Sequence, residues 1–376
     1  MRISARGLNR ATLARQLLLR REALGVGDAV RRVFAVQAQH PASPYVALWN
    51  RITDFDPADL DAAFTGRTLV KATLLRITLH VVHADDHPAV HTAMRPSLRA
   101  ARLGDRRFTV SGLSVEDADA VVPELLEFTA RPRTAAEVET WLAARLGVPP
   151  KGVWWALRTF APLLHAPTGS PWSFGARPSY VTADVRPEGT PDERLPALVR
   201  RYLEAFGPAS VVDVAQFALV QRSRVREAVQ ALSGTLRRLE GPDGEELFDV
   251  PGAPLPPADA PAPPRLMAMW DSTLLAHADR VRVVPPEYRK LVTRSNGDVL
   301  PTLLVDGYVA GVWRPVGGGI EATAFRPLPD EVWQGLAAEA RALVAFLADR
   351  EPLVYRRYDR WWSDLPAADV RVLPGG

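Results

Sequence analysis

Two glutamines, Gln37 and Gln39, stand two apart in Val36-Gln37-Ala38-Gln39-His40-Pro41, closing an apolar run that begins near Asp28. Val30, Val33, Phe34 and Val36 recur at near-helical spacing, which predicts an amphipathic helix with Arg31 and Arg32 on its wet side. Pro41 ends it, because the residue before a proline is pushed out of the α region, so the chain leaves helical geometry around Gln39 and His40. Positions two apart diverge by roughly 200° on a helix but share a face on an extended segment. The exit therefore predicts both amides in one cleft, where they would orient a water without bringing a charge of their own. Taken alone, the segment favours a plainer role, capping of last-turn carbonyls or a bond to a neighbouring loop.

His80, His83, His87 and His91 form a second cluster, but only His87 and His91 have helical metal-ligand spacing. Asp85 or Asp86 is expected to cap a helix entered at Pro88, leaving His80 and His83 on the preceding strand. No HExxH is present, and a capped surface helix accounts for the cluster without a metal. His80 sits near the expected cleft as a phosphate or damaged-base contact, or else as a core-edge histidine. Lys71, on a strand beside Arg76, is the only lysine of the first module; its plain reading is a solvated strand residue or phosphate contact rather than a Schiff-base nucleophile. Most tryptophans, the Trp361-Trp362 pair included, belong to cores. Asn296-Gly297 with Arg294 beside it reads as a hairpin tip able to reach a groove, or as an ordinary type I′ turn.

The 376 residues, 47% hydrophobic, allow two or three cored domains. With 46 basic against 43 acidic residues, no basic tail advertises nucleic acid, so any DNA surface must arise by clustering. Lysine occurs only at 71, 151 and 290, so individual arginines in this Arg- and Pro-rich chain carry little weight as phosphate ligands. The absence of cysteine excludes disulfides, thiolate zinc and iron–sulfur clusters. No apolar stretch is long enough to span a membrane, and the N-terminus lacks an apolar signal core; a cytoplasmic, nucleoid-associated monomer without a cofactor or metal is expected.

One plan recurs three times: a capped helix, a second helix, then two short strands around a turn. In the middle copy Thr134-Ala135-Ala136-Glu137 is a capping box, a second helix runs from Val153 to about Leu164, and Tyr180-Val181-Thr182 suits a strand. The next copy opens at Ser210-Val211-Val212-Asp213, continues through Arg224 to Leu232, and folds back at Asp243-Gly244. The first ends in Thr68-Leu69-Val70-Lys71 and Ile77 to Val82 as paired strands. Helix, helix and wing is the winged helix, and three in a row favour nucleic acid, although winged helices also dock proteins. The expected fold is α+β: winged-helix modules at 1–110, 111–190 and 191–255, a Pro/Ala linker at 256–264, and a β-rich C-terminal domain at 265–376. In the last, Asn296-Gly297 and Asp306-Gly307 turns separate strands, followed by a helix from about Glu331 to Ala348 and a strand around Val354.

The Gln-Ala-Gln triplet, Leu75-Arg76-Ile77-Thr78-Leu79-His80, and the run Trp270-Asp271-Ser272-Thr273 through His277-Ala278-Asp279-Arg280 to Val305-Asp306-Gly307 resemble the bacterial tandem-winged-helix DNA glycosylases. The resemblance spans nearly the whole chain. It implies a monofunctional hydrolase of the N-glycosidic bond of cationic N7- or N3-alkylated purines that unhooks interstrand crosslinks in double-stranded DNA, conferring self-resistance to a DNA-alkylating natural product. Gln37 and Gln39 would be catalytic, with His80, Lys71, Arg76, Arg294 and Asn296 as candidate DNA contacts. A sister branch carries Asp at the second motif position, where this chain has Gln39. Many relatives are known only as winged-helix DNA-binding proteins, so a non-enzymatic regulator or damage sensor is the alternative.

Overall fold

Residues 1–147, 149–185, 189–363 and 365–374 are described by a computed structural model. Ser4 caps helix α1 (Ala5–Arg15) by accepting from the Gly7 amide at 3.1 Å. Helix α2 (Val26–Val33) stops at Phe34, whose φ of 72° leaves the right-handed region. Val36 and Gln37 then form a strand, β1 (Val36–Gln37), and not the end of a helix running to Pro41, as the spacing predicts. The apolar residues from Phe34 to Ala38 bury in two directions, Phe34 and Ala35 into one core and Val36 and Ala38 into another. A short apolar run gives the same periodicity signal for a buried strand as for a helix, so tertiary pairing decided it.

Helices α3 (Ser43–Trp49) and α4 (Pro57–Thr65), the latter capped by Asp56, lead to the antiparallel strands β2 (Leu69–Thr73) and β3 (Leu79–His83). Their connection contains a 3₁₀ turn at Leu75–Ile77 in which Arg76 and Ile77 have φ of 53° and 57°. Helices α5 (His87–Leu103), α6 (Arg106–Thr109), α7 (Val115–Ala120) and α8 (Val122–Phe128) come next. Asp86 does not cap α5 through its side chain; its carboxylate is held instead by Arg201.

Strand β4 (Arg133–Thr134) ends in the expected capping box, with Thr134 and Glu137 bonded reciprocally at the start of α9 (Ala135–Leu146). Helix α10 (Pro150–Phe160) ends four residues before the expected Leu164, because Leu163–Ala166 forms β5 and pairs with β6 (Ser179–Thr182). Lys71 on β2 lies opposite His165 on β5, and this single register joins the two hairpins into one sheet of order β1-β3-β2-β5-β6-β4. Helix α11 (Pro191–Phe206) then packs along α5, and Ser210 opens α12 (Val211–Ala218), followed by α13 (Arg222–Ala231) and the hairpin β7 (Arg237–Glu240) and β8 (Glu246–Asp249).

Between β8 and β9 (Arg265–Leu266) the proline-rich stretch is extended and strapped to α1: Arg15, Arg6 and Arg10 donate through Nε to the carbonyls of Pro254, Ala258 and Ala260 at 3.3, 2.8 and 2.7 Å. After α14 (Arg289–Val292), strands β10 (Thr302–Val305), β11 (Tyr308–Val316) and β12 (Gly319–Ala324), helix α15 (Asp330–Ala348) and β13 (Asp369–Leu373) complete a sheet of order β13-β12-β11-β10-β9. The strand expected around Val354 is absent; Val354 is buried in a turn, and β13 lies further on. At the Asp306-Gly307 turn a Cβ on Gly307 would come within 2.6 Å of Leu13 Cδ1, and its φ of 81° independently requires glycine. One apolar core runs from Leu13, Val30 and Tyr45 to Leu303, Trp313 and Leu343, so the N-terminal helices and the C-terminal sheet are built around shared packing.

Candidate active site

Gln37 is fixed by the register of β1 on β3, which sets it opposite His80. Residues directly opposite in an antiparallel pair project to the same face, so Gln37, His80 and Ala72 look one way, and Val36, Val81 and Lys71 the other. Gln37 is 3% exposed, and its Oε1 accepts from Arg76 Nη2. Two residues on, exposed Gln39 accepts the Leu79 amide through its own Oε1 at 2.8 Å, while the Ala38 amide donates to the Leu79 carbonyl at 2.7 Å. Both side chains are thus directed at the connection between β2 and β3. Gln39 stands in the wall of a cleft of about 820 Å³; Gln37 lies withdrawn beside Arg76, so the expectation that both amides open into one cleft holds only for Gln39.

Arg76 is half-buried, with its guanidinium 5.1 Å from the Phe217 ring centre and Nη1 buried without a hydrogen-bond partner. Burial, then the charge of Arg280, draws its pKa down to about 9, which leaves it a cation at neutral pH. Arg76 is therefore bound to the motif itself rather than free for a phosphate. His80 is wholly buried, so the expected phosphate or base contact is corrected to an interior role. Its Nδ1 donates to the Thr78 carbonyl at 3.0 Å, making Nε2 a bare acceptor with no partner. Burial, followed by Arg76, lowers it to about 3 and keeps it neutral.

The cleft's inner wall carries residues that sequence reasoning missed or misread. Lys71 is not solvated; it is 4% exposed, with Nζ 4.5 Å from the centre of the Phe174 ring. Burial lowers its pKa to about 7. His165, opposite it on β5, also lines the cleft, and His40 enters from the loop after β1 with Nδ1 accepting the Ala42 amide at 3.2 Å. Burial, then Arg357 and Lys71, draws His40 down to about 3. Trp155 on α10 lies between Arg107 and Arg102, whose guanidinium carbons are 3.9 and 4.4 Å from its ring centre. Trp155 could be suspected from its type alone, as one of several tryptophans able to stack on bases, but nothing local marks His165, whose place in the cleft depends on fusion of the two hairpins.

The C-terminal run supports the motif from behind. Asp271 takes both terminal nitrogens of buried Arg51 at 2.9 Å and caps the next turn by accepting the Thr273 amide at 3.0 Å. Ser272 Oγ donates to the Ala35 carbonyl at 2.8 Å, one residue before β1. Arg294 is partly folded onto the protein, 4.6 Å from the centre of the Trp361 ring, and Asn296 bonds to Asp298 at 2.9 Å, leaving the tip at Ser295 to Gly297 exposed. The structure does not bring Arg294 or Asn296 into the cleft. His87 and His91 are buried with ring centres 5.6 Å apart, not on the surface. Among the described residues no group of three or more His, Asp or Glu could hold a metal ion, and no helix is long and apolar enough to cross a membrane.

A mixed α+β chain with an amide pair at a basic, aromatic cleft matches known proteins along most of its length. Residues 30–346 match the model of the DNA glycosylase AlkZ-like family, and the chain belongs to that family. It is accordingly a DNA glycosylase, a hydrolase of N-glycosyl bonds, and its substrate is DNA. It is 28% identical over 343 residues to an interstrand DNA cross-link repair glycosylase of Streptomyces sahachiroi, covering 83% of this chain and 88% of the relative. The solved structure of the Streptomyces sahachiroi DNA glycosylase AlkZ superposes with a TM-score of 0.78 at 22% identity, over 94% of this chain and 99% of that one, a likeness of fold.

Proposed function

We propose that the enzyme hydrolyses the N-glycosidic bond of cationic N7- or N3-alkylpurines, unhooks interstrand crosslinks made from them, and gives self-resistance to a DNA-alkylating natural product. The observation that carries this reading is the pairing of two uncharged amides on one β-connection beside a cation-lined cleft. The three helix–helix–hairpin segments are read as winged-helix modules that position the duplex. Alkylation puts positive charge on the base, so it departs neutral and needs no general acid. The difficulty moves to C1′, where an oxocarbenium-like cation forms and water must be held on the far face. Each glutamine carbonyl already accepts one bond; Gln39, in the cleft wall, keeps its second lone pair for that water, while Gln37, withdrawn beside Arg76, adds its dipole from behind the connection. The two oxygens also place negative dipole near the sugar cation, as preorganised polar groups do.

Unhooking adds a steric demand. A base tethered to the opposite strand cannot swing into a tight pocket, and a cleft of about 820 Å³ is of drug-binding rather than single-base size. The relative's cross-link repair supports this reading. The test is excision of N7-methylguanine from a duplex, read by mild alkaline strand cleavage, and release of an N7-linked interstrand crosslink. Gln37→Ala and Gln39→Ala should each cost about 10²-fold or more, less than additively when combined, with folding and DNA affinity nearly intact. Wild-type rates in both single variants would return the glutamines to a capping role.

A further inference from the structure

Lysine is rare in this chain, three of 46 basic residues, yet one lysine is buried in the inner wall of the cleft that holds Gln39. Among the described residues no carboxylate lies within ion-pairing distance of Lys71. Val81 opposite it on β3 is apolar, and His165 faces it from β5. His40 approaches from the loop after β1, Phe174 lies under the amine, and Arg158 of α10 shares the cleft. From α4, which packs on β2, the carboxylate of Asp61 is already taken by Tyr45, Ser173 and Arg350. Glu351, the one acid in the cleft lining, accepts from Trp172 Nε1 at 2.6 Å. The wall thus carries a cation with no carboxylate partner among the described residues, a place built for an anion rather than half of an ion pair.

We propose that Lys71 is the seat of a DNA phosphodiester flanking the damaged nucleotide, drawn into the cleft so that the sugar meets Gln39. This rests on the reading that damaged DNA is hydrolysed beside the glutamines. A phosphodiester is the only anion DNA offers, whereas a cationic alkylpurine would be repelled by Lys71, Arg102 and Arg158 and is left to the Gln39 side. The site differs from a surface phosphate contact in one measurable respect. An amine that burial holds near pH 7 is partly neutral in the free protein, and an anion beside it restores the charge. Binding should therefore take up a proton, about half at pH 7 and rising at pH 8.

The experiment is calorimetric titration of the full chain with a duplex containing a tetrahydrofuran abasic analogue, in two buffers of different ionisation heat. Having no base to excise, this probe keeps the result separate from whether alkylpurines are hydrolysed. Wild type should show the proton uptake. Lys71→Met, which keeps the apolar stem, should bind about tenfold or more weaker without uptake, and Lys71→Arg should bind nearly as wild type without uptake. No buffer dependence in wild type, or uptake persisting in Lys71→Met or Lys71→Arg and so belonging to His40 or His165, would overturn the proposal. So would borohydride trapping of a Lys71-dependent adduct on natural abasic DNA, which would make the amine a nucleophile.

Discussion

Arg76 and Gln37, 39 positions apart in sequence, are joined by a hydrogen bond from the guanidinium to the amide oxygen. The donor sits in a turn where Arg76 and Ile77 both take left-handed φ, so the sequence around Leu75-Arg76-Ile77 acts on the motif through its backbone as well as its charge. Because a guanidinium only donates, the bond fixes which end of Gln37 is oxygen and so which way its dipole points.

Arg76 should accordingly behave as a positioning residue. Arg76→Ala should lower kcat for N7-methylguanine excision about tenfold, with KM and affinity for undamaged duplex little changed. Gln37→Ala and Arg76→Ala combined should lose little more than Gln37→Ala alone. A phosphate contact would give the opposite signature: weaker binding, a shallower salt dependence and independent losses.

The buried ion pair of Arg51 with Asp271 links the turn just past α3 to the C-terminal run. Removing one member strands the other charge in the core, so Asp271→Ala should cost about 3–5 kcal/mol in urea unfolding. Replacement of Ser272 by Ala should be milder, about 1 kcal/mol, yet should also lower excision, since its hydroxyl anchors Ala35 beside β1.

Capping boxes at Thr134 and Ser210, the Asp243-Gly244 and Asp306-Gly307 turns and the long α15 were legible because each is a local rule satisfied within a few residues. The helix drawn through Gln37 was not, because Val36 and Gln37 are strand only by virtue of Val81 and His80, more than 40 residues away. The same blindness hid the cleft. Lys71 meets His165 only where two hairpins fuse, and a long-range pairing leaves no mark in the spacing around either residue. The glutamines were recognisable as residue types, but Gln37's burial behind Arg76 was not.

Acid should unfold the protein before its carboxylates titrate. Burial pulls His80, His87 and His277 to about 3 and His91 to about 4, from 6.5. The unfolded chain takes up these protons as pH falls through 6.5 and the folded chain does not, so stability falls with decreasing pH. Each histidine adds a slope of about 1.4 kcal/mol per pH unit until its folded pKa is reached. Thermal midpoints should therefore fall modestly from pH 8 to 7, where Lys71, lowered to about 7, binds fewer protons folded than unfolded, and drop steeply between pH 6 and 4.5 as the histidines add to it. Replacing the buried pair, as His87→Leu with His91→Leu, should blunt that drop; an unchanged profile would place the acid sensitivity elsewhere.

The charge of the lesion tests the proposed chemistry itself. If the two amides only hold water and stabilise the sugar cation, nothing in the site protonates a leaving group: His80 and His40 are held neutral by burial, and Lys71, in the cleft with Gln39, is given over to the phosphodiester. Excision should then be fast for N7-alkylguanine and N3-alkyladenine and very slow for uracil or hypoxanthine, whose departure needs a proton. At saturating enzyme, where the bound phosphodiester keeps Lys71 charged, the pH profile of single-turnover excision should be nearly flat across pH 6 to 8, without the limb that a general acid would impose. An N7-linked crosslink should be released from one strand at a time, since each purine is independently activated and water needs only one C1′. Efficient removal of uracil, or a rate falling as an acid deprotonates, would show that a proton donor operates and that the amides are not the whole of the machinery.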